Sequence, residues 1–317
     1  MYIYENCNDA WPQTVRMLQR SGVMETSRNG RVLRAPAPVT ISYSQPTQRV
    51  LFCSKRNINP YLHFFEPLWI LAGRRDVDFL ANIVSRFRNY SDDGKNFNAA
   101  YGFRLRAGVD QIHAAIKRLK RNPQDRQVVL QIRHPDDILY EGKDTACNLC
   151  AALDIRDGKL NIHVFNRSND VVWGGPAGGA NFPQFTMLLE YLAGHIGVGV
   201  GLYHHTTNNM HAYVDTPDWE RVQDVPYIAN PYPILGIRPH PLFETGVDPA
   251  DFDDDLFNFF SRGNCVDSHT LFFREVVAPM WESFLRYRQG SRQCYVPVAA
   301  QDWDLAQKSW LQRKNKA

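Results

Sequence analysis

The chain has 317 residues, of which 44% are hydrophobic and 22% charged, with a formal net charge of +3. This is the composition of an ordinary globular protein, and a charge so close to neutral suits a small anionic substrate rather than nucleic acid. No apolar run approaches the length of a membrane span, and the start MYIYENCNDAW lacks the apolar centre of a signal peptide. Six scattered cysteines make no disulfide scaffold, and Cys147 and Cys150 have neither a second pair nor clustered histidines to complete a zinc site. The expectation is a cytoplasmic protein with no structural metal, no membrane attachment and no direct nucleic-acid binding.

In chain order, residues 11–22 read as an amphipathic helix ending at Gly22, followed by a basic loop carrying Arg28 that leads into a strand. Residues 57–72 form a strongly apolar helix with one acid, Glu66, in its middle. A buried carboxylate is costly unless it is paired or functional, and Pro67 directly after it is placed to kink the helix. Residues 76–88 continue as helix, and 110–121 read as a surface helix. From Asp144 the period changes to two. An alternating run opening at Cys147 turns at Asp157-Gly158, and a second run ends in the polar sequence Asn166-Arg167-Ser168-Asn169-Asp170, a β-hairpin pattern. A glycine-rich loop, 174–179, precedes an apolar helix over 183–196. His211 and Tyr213 then stand one residue apart, which on a strand puts them on one face. The stretch 239–264 is acidic and aromatic and reads as a surface insertion, and residues 301–317 extend past a short apolar segment at 294–300. With no internal repeat or linker, residues 1–317 read as a single domain.

The segment from Cys147 to Asn181 resembles the core of the thymidylate synthase family, and within it the deoxypyrimidine-monophosphate hydroxymethylases. Arg-Ser-Asn-Asp-Val-Val followed by Trp173-Gly174 is similar to the hydroxymethylase branch, Glu66-Pro67-Leu68-Trp69 to the family's Glu-Leu-Leu-Trp, and Tyr101-Gly102 to its Tyr-Gly element. The resemblance implies an α/β (α+β) fold, a large mixed β-sheet with packed helices, and a homodimer through the sheet. It implies Cys147 as nucleophile, Glu66 as the residue that organises water and protons, and Asp170 and Tyr101 in the catalytic set. Arg28, Arg167 and Ser168 would bind the nucleotide phosphate, joined by Arg126 from the partner subunit. Gln127 stands where the family has a second arginine. Asn181 would read the base and His211 and Tyr213 the sugar, while Phe87, Tyr90 and Trp69 would line the pocket of the one-carbon donor, 5,10-methylenetetrahydrofolate.

Two choices follow from the same resemblance. Asn at position 181 favours uracil over cytosine, for which the family uses Asp. Three features favour a wet pocket and hence a hydroxymethyl product: Phe87 and Tyr90 in place of tryptophans, Asn148 in place of a histidine, and a tail that continues beyond the apolar closing segment. The expected activity is 5-hydroxymethylation of dUMP. The alternatives are the dCMP (or CMP) hydroxymethylase, thymidylate synthase and, in another class, an inactive nucleotide- or RNA-binding relative. Cys147, Glu66 and Asp170 speak against the last, since a binder has no need of a thiol beside a buried acid.

Overall fold

The alternating segments of the chain pair into two sheets. A computed structural model describes residues 2–225, 229–263, 265 and 267–314. Its strands are β1 (Tyr2–Tyr4), β2 (Val23–Ser27), β3 (Gly30–Arg34), β4 (Val39–Tyr43), β5 (Val129–Gln131), β6 (Asn148–Arg156), β7 (Lys159–Asn166), β8 (Asn169–Asp170), β9 (Gly199–Thr207) and β10 (Met210–Tyr213). The larger, mixed sheet has the order β1-β4-β9-β7-β6-β5, and the smaller one β2-β3-β10-β8. The expected hairpin is β6–β7. It turns on Asp157 at φ 50° and Gly158 at φ 69°, the left-handed pair that a primed two-residue turn requires.

The polar run after β7 is not simply the end of that strand. Arg167 and Ser168 cross between the sheets, and Asn169 and Asp170 form β8, parallel to β10. The crossover is held from both sides: the Asn169 N–H donates to the Asn209 carbonyl and the Val171 N–H to that of His211. Nor is the basic stretch after the first helix a loop. It is the β2–β3 hairpin, held across the strands by the Glu25–Arg34 ion pair at 2.6 Å, with Arg28 exposed in its turn.

Two helices with no polar face form the centre, Pro60–Leu71 and Asn181–Ile196, and they pack on each other. Such helices are stable only when surrounded. The first begins at Pro60 rather than 57, because the Asn59 side chain accepts from the Tyr61 and Leu62 N–H groups and Pro60 needs no partner. It continues through Pro67 to Leu71. The second begins at Asn181, two residues before expectation, with Pro183 in its first turn. The expected helix over 76–88 is instead Val77–Ile83, capped by Asp76, followed by a 3-10 turn at Ser85–Tyr90.

The two late segments cover the first central helix. The acidic run is a helix, Pro249–Arg262, whose Phe259 stacks on Phe65. Its Asp255 is buried and accepts from the Thr270 N–H and hydroxyl. The extension forms the helix Gln301–Lys314, which sets Trp303 against Phe64 and Trp310 against Tyr61. The apolar segment before it is pinned: the Val298 N–H donates to Asp304 and the Ala299 N–H to the Glu275 carbonyl. Residue 264 of the expected insertion and 315–317 of the extension lie outside the described residues.

The glycine loop sits on a fully buried indole. A Cβ at Gly178 would lie 2.1 Å from the Trp11 ring, whose N–H donates to the Val171 carbonyl. Gly178→Ala must therefore push the loop off its seat, with a stability cost of about 1–3 kcal/mol. Thermal melting checks this, and an unchanged midpoint contradicts it.

Candidate active site

Cys147 stands immediately before β6, half-buried, and its carbonyl accepts from the Arg167 N–H across the hairpin at 2.9 Å. The Arg167 guanidinium folds back on the same turn, donating from Nε to the Ala146 carbonyl at 3.0 Å and from Nη2 to that of Thr145 at 3.1 Å. No carboxylate neutralises Arg167 among the described residues. Tyr101, at the start of the Tyr101–Arg106 helix, is the meeting point. Burial pushes its hydroxyl far up, and the charges of Cys147 and Glu66 add to that, whereas Asn148 and the Arg167 cation oppose it. Cys147, Glu66 and Arg167 are therefore within electrostatic range of one phenol, which lies beside the Asn148 amide.

Glu66 comes to this cluster from the middle of its apolar helix. Burial pushes its carboxyl up to about 7, and the Gln184 amide beside it pulls back only in part. Its Oε2 has no hydrogen-bond partner among the described residues, and neither has Nδ2 of the fully buried Asn148. An unpartnered buried acceptor and an unpartnered buried donor, both next to Tyr101, are groups that water or substrate would satisfy. Asn148 Oδ1 is already engaged by Asn166 Nδ2 at 2.8 Å.

Asp170 stands across the crossover. Burial raises its carboxyl, opposed by the Val172 N–H and by the charges of His211 and Arg56. His211 is its register partner on β10, and the His211 and Tyr213 rings meet edge to face at 5.0 Å, sharing a face as expected. The Tyr213 hydroxyl accepts from Asn29 Nδ2 at 3.4 Å, so the turn carrying Arg28 reaches this side of the site. The Ser168 N–H is tied to Asn166 Oδ1, whereas no bond to the Ser168 hydroxyl is present among the described residues.

Three aromatic side chains gather beside the glycine loop. Phe87 and Tyr90 meet edge to face at 5.9 Å in the Ser85–Tyr90 turn. Arg86 of that turn lies 4.4 Å over Trp173, which brings the turn against the glycine loop. Arg56 lies 4.7 Å from the same indole, and the Trp173 N–H donates to Asp218. Trp173 is 40% exposed and so offers surface to a ligand, whereas Trp69 is 3% exposed and spends its N–H on Asp76. Trp69 therefore backs this wall, through Phe97, instead of facing outward. Arg126 is not brought to any of these groups. It is exposed before β5, in a surface concavity it shares with Gln124 and Gln127. Gln127 is engaged locally, accepting from Arg118 at 2.5 Å.

The sequence model for thymidylate synthase matches residues 9–247. The chain belongs to the thymidylate synthase family. Members similar to it include a protein of Pseudomonas phage M6, "Deoxyuridylate hydroxymethyltransferase", 39% identical over 98% of this chain and 93% of that protein. A protein of the same description from Bacillus phage SP01 is 38% identical over 65% of this chain and 58% of its own length. A "Putative thymidylate synthase" of Methanosarcina acetivorans is 26% identical over 70% of this chain. Family membership bears out the expected fold class and the reaction class, one-carbon transfer to a pyrimidine.

Several residues of the site escaped the sequence reading. Arg56 is 1% exposed, and burial lowers its cation to about 10 despite the charges of Asp170 and Asp218. His63 beside it is pushed down to about 3 by burial and by Arg56, and is therefore neutral. Gln184, Asn169 and His205 are all buried within the same region. The signal for Gln184 was present, a polar residue at an inward position of an otherwise apolar helix; His205 stands in a polar run, His204 to Thr207, and was not marked in this way. Arg56 left no such trace, since it precedes its helix in a run of polar residues.

Proposed function

We propose that this protein is a deoxyuridylate 5-hydroxymethylase that acts through Cys147. What carries the reading is the convergence on Tyr101 of a thiol and a buried carboxyl poised near neutrality, a pairing suited to covalent catalysis with proton transfer. The description of the phage relatives as deoxyuridylate hydroxymethyltransferases supports it.

Carbon 5 of uracil is too weak a nucleophile to be substituted directly. Addition of the Cys147 thiolate at carbon 6 places electron density on carbon 5, which then bonds the one-carbon unit; loss of the carbon 5 proton breaks the bond from that carbon to the donor's nitrogen, so that tetrahydrofolate leaves and an exocyclic methylene remains. Water completes the reaction: Glu66 takes one of its protons, the oxygen bonds the methylene carbon, and the carbon 6–sulfur bond breaks and returns its electron pair to Cys147. Glu66 Oε2 and Asn148 Nδ2 are the groups that would hold that water, one accepting and one donating. Methylenetetrahydrofolate supplies the one-carbon unit at the oxidation level of formaldehyde. Phe87, Tyr90 and the exposed part of Trp173 left uncovered by Arg56 and Arg86 would line its flat rings, and Arg86 would meet its carboxylates.

Arg28, Arg167 and Ser168 take the phosphate, His211 and Tyr213 the sugar, and Asp170 and Asn181 the base. Arg126 completes the phosphate site from a second copy. Support for that dimer comes from the larger sheet. Along β7, Leu160, Ile162 and Val164 are buried toward the helices, while the alternate side chains His163 and Phe165 are only half-buried on the opposite face, as are His204 and Thr206 of β9. Mixing two weak variants tests the arrangement. Arg126→Glu and Cys147→Ser, each nearly inactive alone, regain activity together, up to about a quarter of the native rate, because a mixed dimer holds one intact site. A mixture no faster than its components contradicts the exchange.

A further inference from the structure

The crossover between the sheets carries a residue that faces neither phosphate nor thiol. Asn169 is 3% exposed and lies between the base-reading end of the Asn181–Ile196 helix and β9. Its Nδ2 donates to the Gly174 carbonyl at 3.1 Å and to Asn181 Oδ1 at 2.8 Å. Its Oδ1 accepts from the Thr207 hydroxyl at 2.6 Å and is bonded to His205 Nε2 at 2.9 Å. Asn181 in turn donates from Nδ2 to Gln184 Oε1 at 2.8 Å. The Gln184 amide then meets Glu66.

This ladder has a direction. A backbone carbonyl can only accept, so Gly174 requires the Asn169 amide to present its nitrogen on that side. Asn169 Oδ1, which can only accept, takes the hydrogen of His205 Nε2, and this leaves His205 Nδ1 to accept from the Tyr203 hydroxyl at 2.7 Å. Burial, which pushes His205 down to about 3, keeps that ring neutral. With Asn169 pinned at both ends, Asn181 must offer it an oxygen, and its own nitrogen must then face Gln184. A free asparagine could rotate its amide by half a turn; this one cannot without setting oxygen against oxygen.

Resting on the reading of Asn181 as the residue that meets the base, we propose that Asn169 is a positioning residue for base selection. It fixes the amide of Asn181 in the orientation that suits uracil and denies the one that suits cytosine. Fixed in this way, Asn181 retains one lone pair on Oδ1 and one hydrogen on Nδ2. Uracil presents the complement, an N3 hydrogen beside a carbonyl oxygen at carbon 4. Cytosine presents the reverse, an acceptor at N3 beside an amino group. Asn alone does not distinguish them; a locked Asn does.

The test compares dUMP and dCMP, by dissociation constant and by kcat/KM, in the native protein and in Asn169→Ala, Thr207→Val and Asn181→Asp. Asn169→Ala is expected to lower the preference for dUMP by at least about tenfold, chiefly by a gain toward dCMP. Thr207→Val, which removes one of the two donors on Asn169 Oδ1 at nearly constant volume, shifts the ratio the same way by less and serves alone should Asn169→Ala not fold. A purely structural role would weaken both nucleotides alike and leave the ratio unmoved. An unmoved ratio in these variants, with a moved one in Asn181→Asp, overturns the lock and leaves Asn181 as the base reader. No change in Asn181→Asp either overturns both.

Discussion

Cys147→Ser lowers turnover by about four orders of magnitude or more while leaving dUMP affinity within about threefold of native. The expectation follows from the division of labour in the site. In the proposed site Arg167, Asn181, His211 and Tyr213 would hold the nucleotide, and the thiol positions neither of the first two: Arg167 is anchored on the carbonyls of Thr145 and Ala146, and Asn181 on Asn169 and Gln184. A serine keeps the shape of position 147 but is a far weaker nucleophile, so binding survives and addition at carbon 6 does not. Turnover assays together with titration of dUMP check both halves. Retained turnover overturns the covalent route; lost binding shows that the thiol supports the pocket as well.

Glu66→Gln has the second large effect, and it has two signs. Activity falls by about 10²- to 10³-fold, the usual contribution of a positioned acid–base group. In the native protein kcat rises as pH climbs through about 7, where the carboxylate forms; the glutamine variant has no such rise. Stability moves the other way. The folded state holds the Glu66 proton up to about 7 against an ordinary value of 4.5, so between those values it binds more protons than the unfolded chain. Native stability contributed by this group is therefore full below the lower value and is lost as pH rises through the window. Glutamine removes that loss, and from about pH 5 to about pH 8 the comparison shifts in favour of the variant by up to about 3 kcal/mol. Denaturant titrations at both pH values measure the shift. A stability difference between variant and native that is the same at both pH values contradicts a buried, near-neutral carboxyl.

The central hairpin, its Asp-Gly turn and the two apolar helices were legible because each rests on local signals: period-two alternation, a left-handed turn pair, and runs too apolar to be exposed. Family resemblance then supplied the positions of Cys147, Glu66, Asp170 and Asn181 along those elements. What local pattern could not show is how elements distant in sequence meet. Asn169 and Asp170 look like the end of β7 because nothing local marks the change of sheet; their partners, Met210 and His211, lie some forty residues on. Arg86 and Trp173 come together only through the packing of the Ser85–Tyr90 turn against the glycine loop. Arg56 is buried by Trp173 and the Asp170 side of the site, a burial that its own neighbours in sequence, Lys55 and Asn57, gave no reason to expect.

The most direct test of water addition in this site is to incubate the purified protein with methylenetetrahydrofolate and dUMP in water enriched in oxygen-18, and to weigh the products. The expected products are 5-hydroxymethyl-dUMP with one oxygen-18 atom in its new hydroxyl, and tetrahydrofolate in equal amount, because the methylene is closed by water activated at Glu66. Formation of dTMP with dihydrofolate contradicts water addition, since hydride rather than water would then complete the reaction in this pocket.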